Sequence, residues 1–223
     1  MSIHDGHRAR LRQRYLQHGA EAFDDRGLLE LLLCYALPRG DVNPLVDRLL
    51  EHFGSLAGVL DASAQELQRV DGIGENTALL LNLLPQLLRR YQLCKTDPEE
   101  YICSSADAAD YLLPYFFGER NELLFMLSLD AGGRVLGIDR IGEGSFDEVE
   151  LNVDAVIAAA ERHRASSVIL AHNHVSGILT PSQADLQATQ DLRQQLQPHR
   201  IALLDHLVIA DGTYRSMAEC KEI

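Results

Sequence analysis

The chain has 223 residues, 46% of them hydrophobic, which is enough for one large or two small packed domains and excludes a disordered or fibrous protein. Its 20 basic and 33 acidic residues give a formal charge of -13, which excludes a generally basic DNA-binding protein. The four cysteines form no CxxC pair, so we predict reduced thiols rather than disulfides or a zinc–thiolate site. The sequence pattern shows neither a secretory segment nor a bilayer span, and we expect a cytoplasmic protein without membrane contact.

The first half of the chain, residues 1–97, is predicted to be helical. Between Gly27 and about Gln92, leucines recur at the three- and four-residue spacing of helices with one buried face. Glycines at positions 40, 54, 58, 72 and 74 separate these runs. The pattern predicts a compact bundle of short helices that ends near Lys95-Thr96-Asp97-Pro98.

The second half, residues 98–223, is predicted to be an α/β domain. Apolar runs predict strands at 123–127, 135–141 and 168–171, and amphipathic segments predict helices at about 153–163 and 181–197. The expected fold class is α+β with two domains, an all-α bundle followed by an α/β domain. Residues 1–97 hold 11 basic and 13 acidic groups, whereas residues 98–223 hold 9 and 20, so the excess acidity lies in the α/β half.

Within the helical half, the sharpest feature is Gly72-Ile73-Gly74. Two glycines around an aliphatic residue allow a sharp turn between helices and leave backbone N–H groups at the start of the second helix, which suits a phosphate. The spacing resembles the helix-hairpin-helix motif of DNA repair and recombination proteins, and Phe53-Gly54-Ser55-Leu56 resembles the first hairpin of a tandem pair. The alternative is a tight corner without a ligand. Because Asp71 and Glu75 flank the turn, any phosphate binding would be weak.

Arginines near the N-terminus could add a cationic patch for DNA, or could form a solvated helix face or a loose tail. These are Arg8, Arg10, Arg12 and Arg14. The leucine-rich bundle could also hold a homodimer.

Two histidines in the α/β half predict a metal site. His172 and His174 follow the apolar run 168–171. Residues i and i+2 of an extended segment project to the same side, so both imidazoles are expected to point at one place.

The third ligand is expected from the start of the next helix. Thr180 is predicted to be its N-cap, with Pro181 at the first helical position and Gln183 completing a capping box. Asp185 would then lie in the first turns and could supply a carboxylate. Two imidazoles and one carboxylate match Zn²⁺, and three protein ligands leave a fourth position for water, as in catalytic sites.

A water bound to such a metal needs a general base, and Glu122 is the best candidate. Glu122 directly precedes the apolar run 123–127, whose strand is expected to neighbour the histidine strand. Position alone does not separate it from Glu119, Glu143 or Glu148.

These residues together resemble a known motif. His172-x-His174, seven further residues and Ser182-x-x-Asp185, with an upstream Glu, match the JAMM motif of JAB/MPN metalloproteases. The combination with a helix-hairpin-helix half is similar to the bacterial RadC family. The resemblance implies a JAB/MPN (cytidine-deaminase-like) fold, Zn²⁺ bound by His172, His174 and Asp185, Glu122 as general base, and Ser182 donating a hydrogen bond to the tetrahedral oxyanion. The implied reaction is hydrolysis of a peptide or isopeptide bond in a protein or peptide substrate.

Two positions depart from the family pattern. RadC members usually have Pro where this chain has Val175, and a His-Pro-Arg-Glu-like run where it has Asn152-Val153-Asp154-Ala155. Neither departure involves a proposed ligand, so we expect them to affect substrate and activity rather than fold.

Other functions stay open at the level of sequence. The JAMM domain could be a scaffold in a DNA-associated binding module, which would fit the DNA repair name of RadC members. A nuclease is suggested only by the letters His172-Asn173-His174, but HNH nucleases separate these residues along a ββα unit. A zinc deaminase would need HxE and PCxxC, which do not occur. Asp205-His206 is predicted to be a buried structural pair or a support behind the ligands.

Overall fold

The structure, a computed structural model, describes residues 3–95, 100–144 and 151–223. Glu148 and the predicted boundary between residues 97 and 98 lie outside the described residues. The chain forms two compact units, Met1–Leu88 and Arg89–Ile223. No helix in the described part of the chain combines the length and apolar composition needed to cross a membrane.

The first unit is helical, as predicted. Its helices are α1 (Ile3–His18), α2 (Asp25–Ala36), α3 (Asn43–Phe53), α4 (Leu56–Asp61), α5 (Ala64–Leu67) and α6 (Glu75–Leu93), the last of which continues into the second unit. Leucines at helical spacing form the buried core, among them Leu29, Leu33, Leu49 and Leu67. The short connections are capped: Gly54 ends α3 with φ 80, and the Ser55 side chain accepts a hydrogen bond at the start of α4.

The described part of the second unit contains a five-stranded mixed sheet with helices on its faces. Its helices are α7 (Ser105–Phe116), α8 (Val153–His163) and α9 (Gln183–Leu196), and its strands are β1 (Glu122–Leu129), β2 (Val135–Gly144), β3 (Ser167–Asn173), β4 (Ala202–Ala210) and β5 (Thr213–Ser216). The strand order is β2-β1-β3-β4-β5, in which β3 and β4 are parallel and the other neighbours antiparallel. The three predicted strands and both predicted helices are present, and β4 and β5 are additional.

Both faces of the sheet are covered by an apolar core. Along β1, Leu123 and Phe125 pack with α7 on one face, while Leu124 and Met126 pack with α8 and α9 on the other. Every residue of β1 and β3 is buried, which explains the continuous apolar runs 123–127 and 168–171 within these strands. Because side chains alternate along a strand, His172 shares the α8/α9 face with Leu170.

Helix α9 begins two residues later than predicted. Its N-cap is Ser182 rather than Thr180: the Ser182 hydroxyl accepts a hydrogen bond from Asp185 N at 3.1 Å, and the Asp185 carboxylate accepts one from Ser182 N at 2.7 Å. Pro181 therefore precedes the helix, and Gln183 takes its first position instead of closing the capping box. This reciprocal pair places Asp185 at the third helical position.

Candidate metal centre

His172 and His174 lie where β3 ends. His172 is 3% exposed and belongs to the strand, whereas His174 follows it and donates its backbone N–H to the Ile209 carbonyl at 2.8 Å. That bond extends the pairing of the β3 segment with β4 by one residue. The strand geometry therefore continues through His174 and directs both rings to the same face, as the spacing predicts.

The structure brings the three predicted ligands together. The Nε2 atoms of His172 and His174 are 2.8 Å apart, and they lie 3.6 Å and 3.5 Å from Asp185 Oδ1 and Oδ2, respectively. Ligand atoms at about 2.0–2.1 Å from a tetrahedral Zn²⁺ are about 3.3 Å apart, so this spacing suits a metal ion. Within the described residues, no other group of three His, Cys, Asp or Glu side chains is close enough to hold an ion. We call His172, His174 and Asp185 the candidate metal centre, shortened below to the metal centre.

A buried chain of hydrogen bonds fixes the proton position of His172. Thr189 Oγ1 lies 2.6 Å from the Asp185 carbonyl oxygen and 2.6 Å from His206 Nδ1. A carbonyl oxygen only accepts, so the Thr189 hydroxyl donates to it and accepts from His206 Nδ1–H. His206 Nε2, 2.8 Å from His172 Nδ1, then accepts the His172 proton. His172 Nε2 is therefore left with a lone pair that faces the other ligands.

His174 is fixed in the same tautomer by a separate contact. Its Nδ1 lies 2.6 Å from the carbonyl oxygen of Ile178, which can only accept, so Nδ1 carries the proton. The two Nε2 atoms of His172 and His174 thus face each other as lone pairs. Two lone pairs at this distance need a cation between them, either a shared proton or a metal ion. The donor set therefore fits a metal.

The electrostatics of the metal centre favour a bound cation. The hydrogen bond to Asp185 raises the pKa of His174, and the nearby charge of Glu122 acts in the same direction. Burial alone would raise the pKa of Asp185, but hydrogen bonds with His172 and His174 outweigh it and hold this pKa well below its ordinary value. Asp185 is therefore ionised at neutral pH.

The two residues of the predicted pair Asp205-His206 have separate partners. The Asp205 carboxylate is 3% exposed and accepts hydrogen bonds from the Ser105 and Ser216 hydroxyls at 2.8 Å and 2.6 Å, so it joins β4 to α7 and β5. The His206 ring instead supports His172. Burial, together with the neighbouring His172, lowers the pKa of His206 well below its ordinary value, which keeps the ring neutral. No local sequence pattern points to Thr189, which anchors His206, because this contact spans 17 positions in sequence.

Glu122 begins β1 and is 6% exposed. As expected, β1 lies beside β3, with Leu124 opposite His172. Glu122 is two residues earlier, so alternation places it on the same face as Leu124 and His172, at the strand end nearest His174. The structure thus brings a buried acid to the edge of the metal centre.

The other candidate bases that the structure describes are engaged elsewhere. Glu143 lies on the edge strand β2, is 45% exposed and pairs with Arg140 at 3.2 Å. Glu119 precedes β1 and pairs with Arg89. Burial and strand position therefore favour Glu122 over both.

Ser182 is hydrogen-bonded to Asp185, the third predicted ligand. Its hydroxyl donates to Asp185 Oδ2 at 2.7 Å while accepting from the Asp185 backbone N–H. The same residue therefore caps α9 and orients the Asp185 carboxylate.

The hairpin Gly72-Ile73-Gly74 joins α5 to α6 in the first unit. Gly72 has φ 96, a conformation that favours glycine, and Ile73 is 7% exposed and packs into the helical core. Arg48, which no local sequence pattern connects with the hairpin, donates through Nη2 and Nε to the Asp71 carbonyl at 3.0 Å and 3.2 Å. A guanidinium from α3 therefore reaches the hairpin, although the hairpin itself holds no basic residue.

The arginine run lies within α1, which excludes a loose tail. Arg8 is 9% exposed and donates to the carbonyl oxygens of Cys34 and Gly40 at 2.9 Å and 2.7 Å, so it stabilises the bundle. The remaining members of the run are exposed: Arg10, Arg12 and Arg14.

The structure shows a local role for one of the two departures from the family pattern. Asn152 is the N-cap of α8, and its side chain accepts from Ala155 N at 3.0 Å. Val175 lies in the turn after His174 and is half-buried. Neither contributes a ligand atom to the metal centre.

Comparison with known families covers both units. A family model described as RadC-like JAB domain matches residues 102–222, and one described as UPF0758 N-terminal matches residues 6–79. The first match is more than half of the chain and includes all five strands and the metal centre. The second includes the hairpin.

Proposed function

Because the chain belongs to the RadC family, whose JAB domain has a metallohydrolase-type fold, we propose that it is a zinc-dependent hydrolase of peptide or isopeptide bonds. One observation carries the proposal: two imidazole lone pairs and a carboxylate converge beside the buried acid Glu122. This arrangement would provide the ligands and the base that metal-assisted amide hydrolysis needs.

In the proposed reaction, the residues of this chain hold the metal and move the proton. When bound, Zn²⁺ would supply an acidified water molecule and polarise the scissile carbonyl. Glu122 accepts the proton of the attacking water and passes it to the leaving nitrogen. The burial of Glu122 limits exchange of that proton with bulk water.

Ser182 is proposed to stabilise the developing oxyanion. Its hydroxyl proton points at Asp185 Oδ2, so it must turn towards the oxyanion during the reaction. The Ser182 backbone N–H would still hold Asp185 in place.

A second candidate function is weak DNA binding through the hairpin, with the α/β unit as a scaffold. The position of Arg48 beside Gly72 favours it, because a Cβ on Gly72 would lie 3.2 Å from Arg48 Nη2. The Arg48 guanidinium and the first-turn N–H groups of α6 can both donate hydrogen bonds to a phosphate group.

The first test is metal content. Protein purified without chelator or nickel is analysed by mass spectrometry alongside His172→Ala and His174→Ala. His199→Ala is the control, since His199 pairs with Glu161 away from the metal centre. We expect one zinc per chain in the wild type and control, and loss in both ligand variants. Wild-type protein that neither contains nor takes up zinc would refute the hydrolase proposal.

The second test is hydrolysis. Zinc-loaded protein is incubated with fluorogenic peptides and an isopeptide-linked lysine peptide, and Glu122→Gln is compared with Glu143→Gln. We expect cleavage that Glu122→Gln abolishes without loss of zinc, and that Glu143→Gln leaves intact. Equal loss in both variants would contradict the assigned role of Glu122.

A further inference from the structure

The side chain of Asn173 makes hydrogen bonds with the backbone of both sequence neighbours of Glu122. Asn173 lies between the two histidine ligands and is 7% exposed. Its Nδ2 donates to the Asn121 carbonyl at 3.1 Å, and its Oδ1 accepts from the Leu123 backbone N–H at 2.7 Å. The residues immediately before and after Glu122 are thus both held by one amide.

These bonds lie where the pairing of β1 and β3 ends. The register of the two strands ends with Leu124 opposite His172. The next N–H of β1, that of Leu123, goes to the Asn173 side chain. Meanwhile the β3 segment stays paired with β4 through the N–H of His174. Asn173 therefore bridges β1 and β3 at the point where the sheet opens beside the metal centre.

The residue type suits this bridge. An amide has both a donor and an acceptor at its tip, whereas a carboxylate cannot donate to the Asn121 carbonyl. Side chains alternate along β3, so Asn173 projects away from the face of the metal centre. It therefore acts on the backbone of Glu122 rather than on the carboxylate.

We propose that Asn173 is a positioning residue for Glu122: by holding the backbone on both sides, it fixes the direction of the Glu122 carboxylate towards the metal centre. A displacement of about 1 Å in a reacting group can cost about 100-fold in rate, so such a constraint has a clear use. The role of Glu122 as base rests on the proposed function, but its orientation by Asn173 can be measured without activity.

The experiment observes the Glu122 carboxyl group by NMR in the full-length protein, with ¹³C at the side-chain carboxyl carbons of glutamate. The Glu122 signal is identified by its absence in Glu122→Gln. Asn173→Ala removes both hydrogen bonds, and Asn173→Leu removes both while keeping the approximate size of the side chain and adding no charge. Asn121→Ala is the matched control, because it removes an exposed side chain that bonds Glu143 and keeps the carbonyl that Asn173 uses.

In Asn173→Ala we expect the Leu123 amide to exchange about tenfold faster, as the loss of one hydrogen bond implies. The Glu122 signal should move towards that of an exposed glutamate while the other glutamate signals stay in place. Asn173→Leu should give a movement in the same direction and Asn121→Ala none. If Asn173→Ala does not fold, Asn173→Leu decides.

Faster exchange at Leu123 with an unmoved Glu122 signal would overturn the proposal, because Asn173 would then only brace the sheet. An unchanged Leu123 exchange rate would overturn it as well. Metal-free protein gives these results whether or not zinc binds. If the Glu122 signal moves as expected but zinc-loaded wild type cleaves no substrate, the proposed function fails and the positioning role stands.

Discussion

Single residues outside the metal centre set the proton positions inside it. His206 and Thr189 together leave His172 Nε2 free to bind a cation. Thr189→Val keeps the shape of the side chain and removes the hydroxyl, so His206 loses the partner that fixes its tautomer. Supporting contacts of this kind typically contribute about 10- to 100-fold in metal affinity. We expect a loss of that size, measured by competition with a zinc chelator.

Substitutions of His206 and Thr189 are expected to have non-additive effects on zinc affinity. His206→Ala and Thr189→Val interrupt one chain, so the double variant should bind zinc about as weakly as His206→Ala alone. Thr180→Val, an exposed threonine before α9, is the control and should bind like wild type. Additive losses would show that Thr189 and His206 act on the metal centre by separate routes.

On acidification, zinc affinity should begin to fall at a higher pH than it would at a site whose histidines have ordinary pKa values. Asp185 raises the pKa of His174, so a proton occupies His174 Nε2 over a wider range than in an isolated histidine. Zinc needs that nitrogen deprotonated, and one competing proton weakens binding by about tenfold per pH unit below the raised pKa. Titrations at several pH values measure this dependence. Asp185→Asn should bind more weakly at high pH and move the pH midpoint downwards.

The pKa shifts also define a pH window for the metal-free fold. The raised pKa of His174 adds stability below the ordinary histidine pKa, and this is lost as the pH rises through the raised value. The lowered pKa of Asp185 adds stability above about pH 4, which is lost only on strong acidification. Both contributions are therefore present together at mildly acidic pH, where zinc binding is weakened, and only that of Asp185 remains above the raised pKa of His174.

At the scale of single elements, we expect the start of α9 to couple helix stability to zinc binding, because one residue both caps the helix and contacts Asp185. Ser182→Ala removes the hydroxyl that caps the helix and bonds Asp185. We expect the free energy of unfolding of the chelated protein to fall by about 1 kcal/mol, with weaker zinc binding because Asp185 is less well oriented. Chemical denaturation and zinc titration measure the two effects.

Two comparisons make the Ser182 result specific. Ser182→Thr should retain most of both effects, since threonine also caps helices. Thr180→Ala should change neither, because Thr180 is not the cap in the structure. Destabilisation by Thr180→Ala but not by Ser182→Ala would place the helix start where the sequence alone predicts it.

Local sequence patterns are sufficient to predict those features of the fold and the site that depend on residues close together in sequence. The i, i+2 spacing of His172 and His174 correctly predicts a shared direction, and the apolar run after Glu122 predicts its strand. The start of α9 is ambiguous in sequence, because Thr180-x-x-Gln183 and Ser182-x-x-Asp185 both fit a capping box. The reciprocal hydrogen bonds of Ser182 and Asp185 select the second.

Features that depend on distant partners could not be predicted in this way. In β4, Asp205 and His206 interrupt the apolar pattern, yet both are buried because α7, β5, β3 and α9 supply their hydrogen bonds. The strand therefore lacks the alternation by which strands are recognised. Arg48 lies 23 positions from Asp71, so nothing near the hairpin in sequence indicates a guanidinium there.

At the scale of the whole molecule, charge decides how DNA could bind. The excess of acidic groups lies in residues 98–223, so any DNA contact is expected in the helical half. Each phosphate contact contributes about -0.9 to the slope of log affinity against log salt. Salt also screens repulsion from the acidic half, which opposes this effect. We therefore expect weak binding to a short duplex, detectable only at low salt, with a slope shallower than the number of contacts implies.

If the protein binds DNA, two arginine variants identify which part of the helical half contacts it. Arg48→Gln should weaken binding and reduce the size of the slope by about 1, whereas Arg10→Gln on the exposed face of α1 should change neither. The opposite result would place DNA on α1 and leave the hairpin as a structural corner. Because the metal centre is in the other unit, Glu122→Gln should bind DNA like wild type. No binding at low salt would remove the DNA-docking candidate and leave the hydrolase proposal untouched, so the two functions can be judged separately.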